Sequence, residues 1–249
     1  MSNYFKNFPK VIYFFGNNDE PEVFQRLSTY SNIIDQFADQ ASAYTNYEIR
    51  DGDRPDALSN RFYGAPEYDF TFFLINEKLR EQGWPMTNQQ VVERAQSDFF
   101  KHYTCVLSIS SGDSAAEFAD LYPVGTEVLV GNKAGVVVRK NLDIGEIIVS
   151  SDSDLTTQTT LSYKNPDLTD PLQVGAPLTN TKYEYEGTHH YENDSAEWLD
   201  RWFDNLSGAT IVTNLEYLIA QNDAAREIRV LKKNEANQLV GELQRRLAQ

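Results

Sequence analysis

The sequence predicts an α+β protein: a short β-α-α-β unit, an inserted small β-rich, barrel-like region, an N-terminal helix and extended terminal arms. Three observations carry this. Between Tyr47 and Trp84, turn and capping residues alternate with short apolar runs. From Thr104 onward the apolar period changes from helical to alternating, with glycines between the runs. Outside both stretches lie apolar segments with little core of their own. The resulting division is 1–43 (apolar arm and helix), 44–103 (central unit and following helix), 104–180 (β-rich insertion) and 181–249 (arm, strand and helix).

In the central unit, Tyr47-Glu48-Ile49-Arg50 alternates like a short strand. Asp51-Gly52-Asp53 is turn chemistry, and Pro55 suits the first turn of a helix, where its missing N–H costs nothing. Leu58, Phe62 and Tyr63 recur at helical spacing until Gly64 ends the helix. A second helix, entered through Pro66, carries Phe70, Phe73 and Leu74 and reaches Leu79. Gly83-Trp84-Pro85 then returns the chain, as read here, into a second short strand. Phe62 and Phe73 are expected in a small aromatic core.

Before this unit, Phe5, Phe8, Val11, Ile12, Tyr13, Phe14 and Phe15 form an apolar arm, and Glu22 to Ala43 reads as an amphipathic helix. Thr87-Asn88 caps a helix running to about His102. Short β-type runs follow at Val106–Ile109, 126–130, 135–138 and 146–149. Residues 152–170 read as loop or a weak hairpin, and the chain after Pro177 as irregular until a short helix over Ala196–Phe203. Ile228-Arg229-Val230-Leu231 is strand-like, and Asn234 caps a helix through Leu247.

Charge narrows the function. With 37 Asp and Glu against 22 Lys and Arg, the chain lacks the cationic surface that nucleic acid or an anionic membrane demands. No apolar run approaches a membrane span, and Met1–Lys10 carries no signal-peptide pattern. The single cysteine, Cys105, excludes an intramolecular disulfide and fits folding in a reducing cytoplasm. Fourteen Tyr and fourteen Phe, with no enzymatic motif beside them, suit a protein that buries contacts against partners.

No catalytic, cofactor or metal constellation emerges. His189-His190 is poor ligand spacing, because adjacent residues diverge in a helix or a strand, so the pair reads as solvated or interfacial. Ser110–Ser114 lacks the context of a nucleophile elbow, and Cys105 reads as a buried thiol. Asp51, Asp53 and Glu67 are commonplace capping positions rather than paired catalytic carboxylates. Trp198 and Trp202, four apart, read either as local core or as an anchor on a neighbouring subunit. Phe8, Ile12 and Phe14 in the arm, and Leu239, Leu243 and Leu247 along the last helix, complete the expected interface set. That helix, with Gly241 inside it, is marginal alone and is expected to serve assembly more than the isolated fold.

Two resemblances sharpen these expectations. Tyr-x-Ile-x-x-Gly-Asp at 47–53, Leu58-Ser59, Tyr63-Gly64 and Asn76 resemble the LysM family, whose module binds N-acetylglucosamine glycans in a groove between its two loops. Arg54-Pro55 stands where that family usually has Thr-Leu, so glycan binding is not expected. The second resemblance spans more of the chain. Gly52-x-Arg54-Pro55, Tyr63-Gly64-x-Pro66, Asn76, Gly83-Trp84, the stretch Tyr183–Glu192 and the closing run Asn222–Leu247 resemble the baseplate wedge protein 53 family of T4-like contractile-tailed bacteriophages. It implies a non-enzymatic virion protein that contacts other wedge subunits and neighbouring copies of the wedge, and links wedges around the central hub. Tyr47, Gly52, Asp53, Arg54, Pro55, Tyr63, Gly64, Pro66, Asn76 and Trp84 would then be structural motif positions. The competing reading is a LysM-type peptidoglycan-binding protein associated with cell-wall degradation; it lacks the catalytic domain such proteins carry.

Overall fold

The structure, a computed structural model, describes residues 10–14, 21–25, 41–107, 122–163, 176–200 and 204–247. The chain is mixed α+β and divides into two compact units: Met1–Thr87 with Gln221–Gln249, and Asn88–Ala220.

Unit 1 is built on a two-stranded antiparallel ribbon. β3 (Tyr44–Glu48) pairs with β13 (Glu227–Leu231), Tyr44 opposite Leu231 and Glu48 opposite Glu227. Hydrogen bonds from Ile49 N to Arg226 O and from Lys232 N to Ala43 O, each 2.9 Å, extend it at both ends. The expected second strand after Trp84 is therefore corrected: residues 85–87 form none, and β13 takes that place. The next helix starts at Asn88, which leaves too few residues for a strand. Over the ribbon pack α1 (Pro55–Tyr63), a 3₁₀ turn (Pro66–Tyr68), α2 (Phe70–Ile75), α3 (Glu77–Gln82) and α6 (Lys233–Leu247).

Pro55 occupies the first turn of α1, and Gly64 ends it in the left-handed region (φ +76°), a conformation that costs a β-carbon-bearing residue energy. The expected single second helix is split, because Asn76 adopts an extended backbone between α2 and α3. Phe72 is wholly buried, stacked on Tyr63 and packed on Trp84 at ring-centre distances of 5.8 and 6.0 Å. Phe62 on α1 and Phe73 on α2 are only partly buried, packed against the edge of this core, and Phe72 takes the central place expected of Phe73.

The last helix is corrected most. Ala236, Leu239 and Leu243 lie in the unit's own core beside Leu58, Phe72, Ile228 and Val230. Its apolar stripe thus has a partner within the chain. A second ribbon, β1 (Lys10–Phe14) with β2 (Pro21–Gln25), replaces the start of the expected helix over Glu22–Ala43; residues 26–40 lie outside the described residues.

Unit 2 opens with α4 (Asn88–Asp98), as the Thr87-Asn88 signal predicts. A closed barrel follows in the order β4-β7-β6-β5-β8-β9, with every pairing antiparallel. The strands are β4 (His102–Leu107), β5 (Glu127–Val130), β6 (Lys133–Asn141), β7 (Glu146–Ser150), β8 (Thr160–Tyr163) and β9 (Ala176–Tyr183). Six strands close on a lumen narrow enough for side chains to fill. Tyr103, Cys105, Val128, Val130, Val137, Ile147, Val149 and Leu161 fill it, and Tyr122 donates its hydroxyl to Leu161 O at 2.9 Å. β8 and β9 arise where the sequence reads as loop or irregular. Beyond the barrel, β10 (Thr188–Glu192) lies between β11 (Trp198–Leu199) and β12 (Thr210–Thr213), and α5 (Asn214–Ala224) leads back toward unit 1 in sequence. The expected helix over Ala196–Phe203 is corrected, since Trp198 and Leu199 are strand.

Candidate functional site

Tyr47, Gly52, Asp53 and Trp84 of the motif set meet at one loop, Asn76 forms a clasp, and Tyr63, Gly64 and Pro66 mark the end of α1 and the 3₁₀ turn after it. In the loop, Asp53 Oδ2 accepts from the Tyr47 hydroxyl (2.7 Å) and the Arg50 N–H (2.9 Å), around a turn at Gly52 (φ +87°). Burial works to raise the Asp53 pKa, but the Arg50 and Tyr47 hydrogen bonds outweigh it and hold the carboxyl below its ordinary range. The Trp84 indole N–H donates to Asp53 O at 2.7 Å, joining the β3–α1 loop to the chain after α3. Tyr47 meets Phe62 edge to face at 5.2 Å, and the Arg61 guanidinium lies 5.2 Å from the Tyr47 ring centre. Arg54 precedes α1 in an extended conformation, and its exposed side chain pairs with Asp56 at 3.1 Å. Such an exposed pair contributes little to stability.

The clasp joins residues far apart in sequence. Asn76 Nδ2 donates to Arg229 O (2.9 Å) and to Phe72 O (2.8 Å), while Arg229 N donates to Asn76 Oδ1 (2.8 Å). Its amide thereby imitates a strand neighbour for β13 and closes the end of α2 in the same contact. Asn222 repeats the device: its Oδ1 accepts from Met86 N (2.7 Å) and its Nδ2 donates to Met86 O (2.9 Å). One turn on, Arg226 donates to Met86 O (2.8 Å) and Ile49 O (3.3 Å) and pairs with Asp51 at 2.7 Å. Sequence reasoning placed Asn222 and Arg226 only within a closing run. Asn222 lies in α5 and Arg226 in the turn before β13, so no helical periodicity groups them; their shared grip on Met86 is a tertiary contact.

Asn76→Ala leaves the Arg229 N–H and C=O without their amide partner. The expected cost is about 1–3 kcal/mol, read as a lower denaturation midpoint and faster hydrogen exchange at Arg229.

In unit 2, Tyr183–Glu192 brings its own centre. Glu184 is 1% exposed and pairs with Arg139 and with His102 Nδ1, the latter at 3.1 Å. Burial raises its pKa against the opposing pull of Arg139 first and His102 second. Its carbonyl accepts from Asn214 Nδ2 (2.6 Å) and Gly187 N (3.0 Å), so one residue pins β4, β6 and the start of α5 together. Cys105 is buried in the barrel, its thiol pushed up to about 12 by desolvation, and so is chemically quiet at neutral pH. Beside these residues is an open cleft of about 590 Å³, walled by Trp198, His189 and Tyr217 and floored by Arg139 and Lys140.

The structure distributes the expected interface residues unevenly. Ile12 and Trp198 are exposed at 60% and 62%. Leu239 and Leu243 are core residues, which corrects their assignment as interface. Phe14 and Leu247 end β1 and α6 respectively, and Phe8 and Trp202 lie outside the described residues. Among the described residues no three His, Cys, Asp or Glu side chains gather as a metal-binding set, and no helix is long and apolar enough to cross a membrane. No protein-family model matches the sequence, and no curated protein matches it.

Proposed function

We propose that this chain is a structural subunit of a contractile phage tail baseplate, linking neighbouring wedges around the hub, and that unit 1 is a LysM-like module interrupted by unit 2. One observation carries the reading. The motif residues at 47–84 and the closing run from Asn222, both singled out by family resemblance, interlock as one unit through Asn76, Asn222 and Arg226. Each conserves the module rather than composing a reactive centre: they turn the chain, end helices or bridge backbones. The β-α-α-β order is completed by β13, so the insertion leaves the module's shape to its own residues.

The same geometry argues against glycan binding. In a LysM-like module the groove lies between the two loops, and here Trp84 spans them to reach Asp53 O. Purified protein should stay in solution when insoluble peptidoglycan is sedimented. The positive test is assembly: particles made without this chain should lack joined wedges, and electron microscopy of tails made with it should place it at the junctions between wedges. Complete, infectious tails without the chain would overturn the assignment, and saturable peptidoglycan binding would favour the glycan-binding alternative.

A further inference from the structure

His189 and His190 are neighbours on β10, yet their rings meet. The register of β10 against β12 shifts between Thr188 and His190, and this bulge breaks the alternation that would send adjacent side chains to opposite faces. The two Nδ1 atoms lie 2.9 Å apart. His190, largely buried, stacks on Trp198 with ring centres 4.2 Å apart and planes within 21°. His189 stacks on Tyr217 at 3.7 Å and 16°. Four rings from β10, β11 and α5 thus form one cluster, a pile of two stacked pairs set edge to face, with the imidazole planes 84° apart.

The pile holds a weak element. β11 is two residues long, paired only as Tyr191 with Leu199 and Glu192 with Trp198. The turn that delivers it puts Ala196 at φ +58°, an unfavourable conformation for a residue with a β-carbon. Asn193 holds that turn, its N–H donating to Glu197 O at 3.1 Å and its Oδ1 accepting from Glu197 N at 3.0 Å, and beyond the turn the stack on His190 adds the contact to the Trp198 ring.

A neutral imidazole has one N–H donor and one bare acceptor nitrogen, whereas an imidazolium has two donors. An Nδ1-to-Nδ1 hydrogen bond therefore survives with the pair neutral or singly charged. With both rings charged, two N–H groups face each other and the bond is lost. We propose that His189 and His190 form a proton-operated latch, which clamps Trp198 and β11 while the pair carries at most one charge and releases them when the second proton binds.

Glu192 Oε2 lies 3.6 Å from His190 Nε2, on the far side of that ring from His189. Arg139 and Lys140 of β6, and Asp143 after it, line the same cleft as His189, with Arg139 itself paired to Glu184, and Tyr217 stacks on the His189 ring. Burial first, and the neighbouring His190 second, lower the His189 pKa from its ordinary 6.5. The sign follows: a depressed imidazole contributes full stability above about 6.5 and loses it as pH falls through the lower folded value. The latch opens in mild acid.

The test uses full-length protein carrying 5-fluorotryptophan, with the Trp198 fluorine resonance assigned from Trp198→Phe and the three imidazoles followed by nitrogen-15 labelling from pH 8 to 5. His189 should bind its proton more weakly than a free imidazole, and the Trp198 resonance should move with that step. In His190→Gln the step in Trp198 should vanish. Should that variant unfold, His189→Phe, which keeps the stack on Tyr217 but removes Nδ1, should abolish it equally. A Trp198 resonance flat across the range, or moving as before in the folded variant, would overturn the latch.

Discussion

Replacing Phe72 with alanine should destabilise unit 1 by about 3–5 kcal/mol, a large share of the roughly 5–15 kcal/mol that holds a domain folded. The ring has no exposed surface and is packed between Tyr63 and Trp84. Its removal leaves a cavity walled by groups that cannot close in freely. Tyr63 is tied to Thr71 at 3.5 Å, and Trp84 is held by its hydrogen bond to Asp53 O. Phe62→Ala and Phe73→Ala, at half-buried positions, should each cost less. Urea denaturation followed through Trp84 fluorescence gives the comparison. Equal costs for Phe72→Ala and Phe73→Ala would mean that α2 is rotated about its axis.

Removing the last helix should be more damaging still. Leu239→Ala alone is expected to cost about 2–5 kcal/mol, because that side chain is fully buried in the unit 1 core. Deleting Lys233–Leu247 also strips Ala236 and Leu243 from the same core and uncovers one side of β13 and α1. Unit 1 amides, those of β3 and β13 first, should then lose hydrogen-exchange protection. A truncated protein that keeps this protection would return the helix to the role that its isolated sequence suggests.

Legibility in the sequence followed how local the determining contacts are. The turn at Gly52, the entry at Pro55 and the stop at Gly64 depend on a few adjacent residues, and each falls where expected. The four glycine-punctuated runs after Thr104 contribute barrel strands because their alternation is intrinsic to a half-buried strand. β9 is not legible as a strand because polar residues dominate it and, among its residues of described burial, Leu178 is the one deeply buried apolar residue; Thr181, also buried, donates to Gln158 O at 3.0 Å. Barrel closure makes it a strand, and closure is a tertiary fact. The same applies to Asn76 and Asn222, whose residue type permits a clasp without naming the distant backbone it will grip. The amphipathic stripe of α6 was visible, but a stripe does not say whether its partner belongs to the same chain.

The split composition of unit 1 has a consequence for biosynthesis. A ribosome releases β3 and α1 to α3 long before it has made β13 and α6, with the whole of unit 2 translated in between. Until then Ile49, Leu58, Phe72 and Leu74 lack the strand and helix that cover them in the finished core. Unit 2, contiguous from Asn88 to Ala220, can condense as it emerges, so the chain segment made first is completed last. The interval exposes an aromatic-rich surface in the crowded cell, and the rate of elongation through the barrel sets how long it stays open.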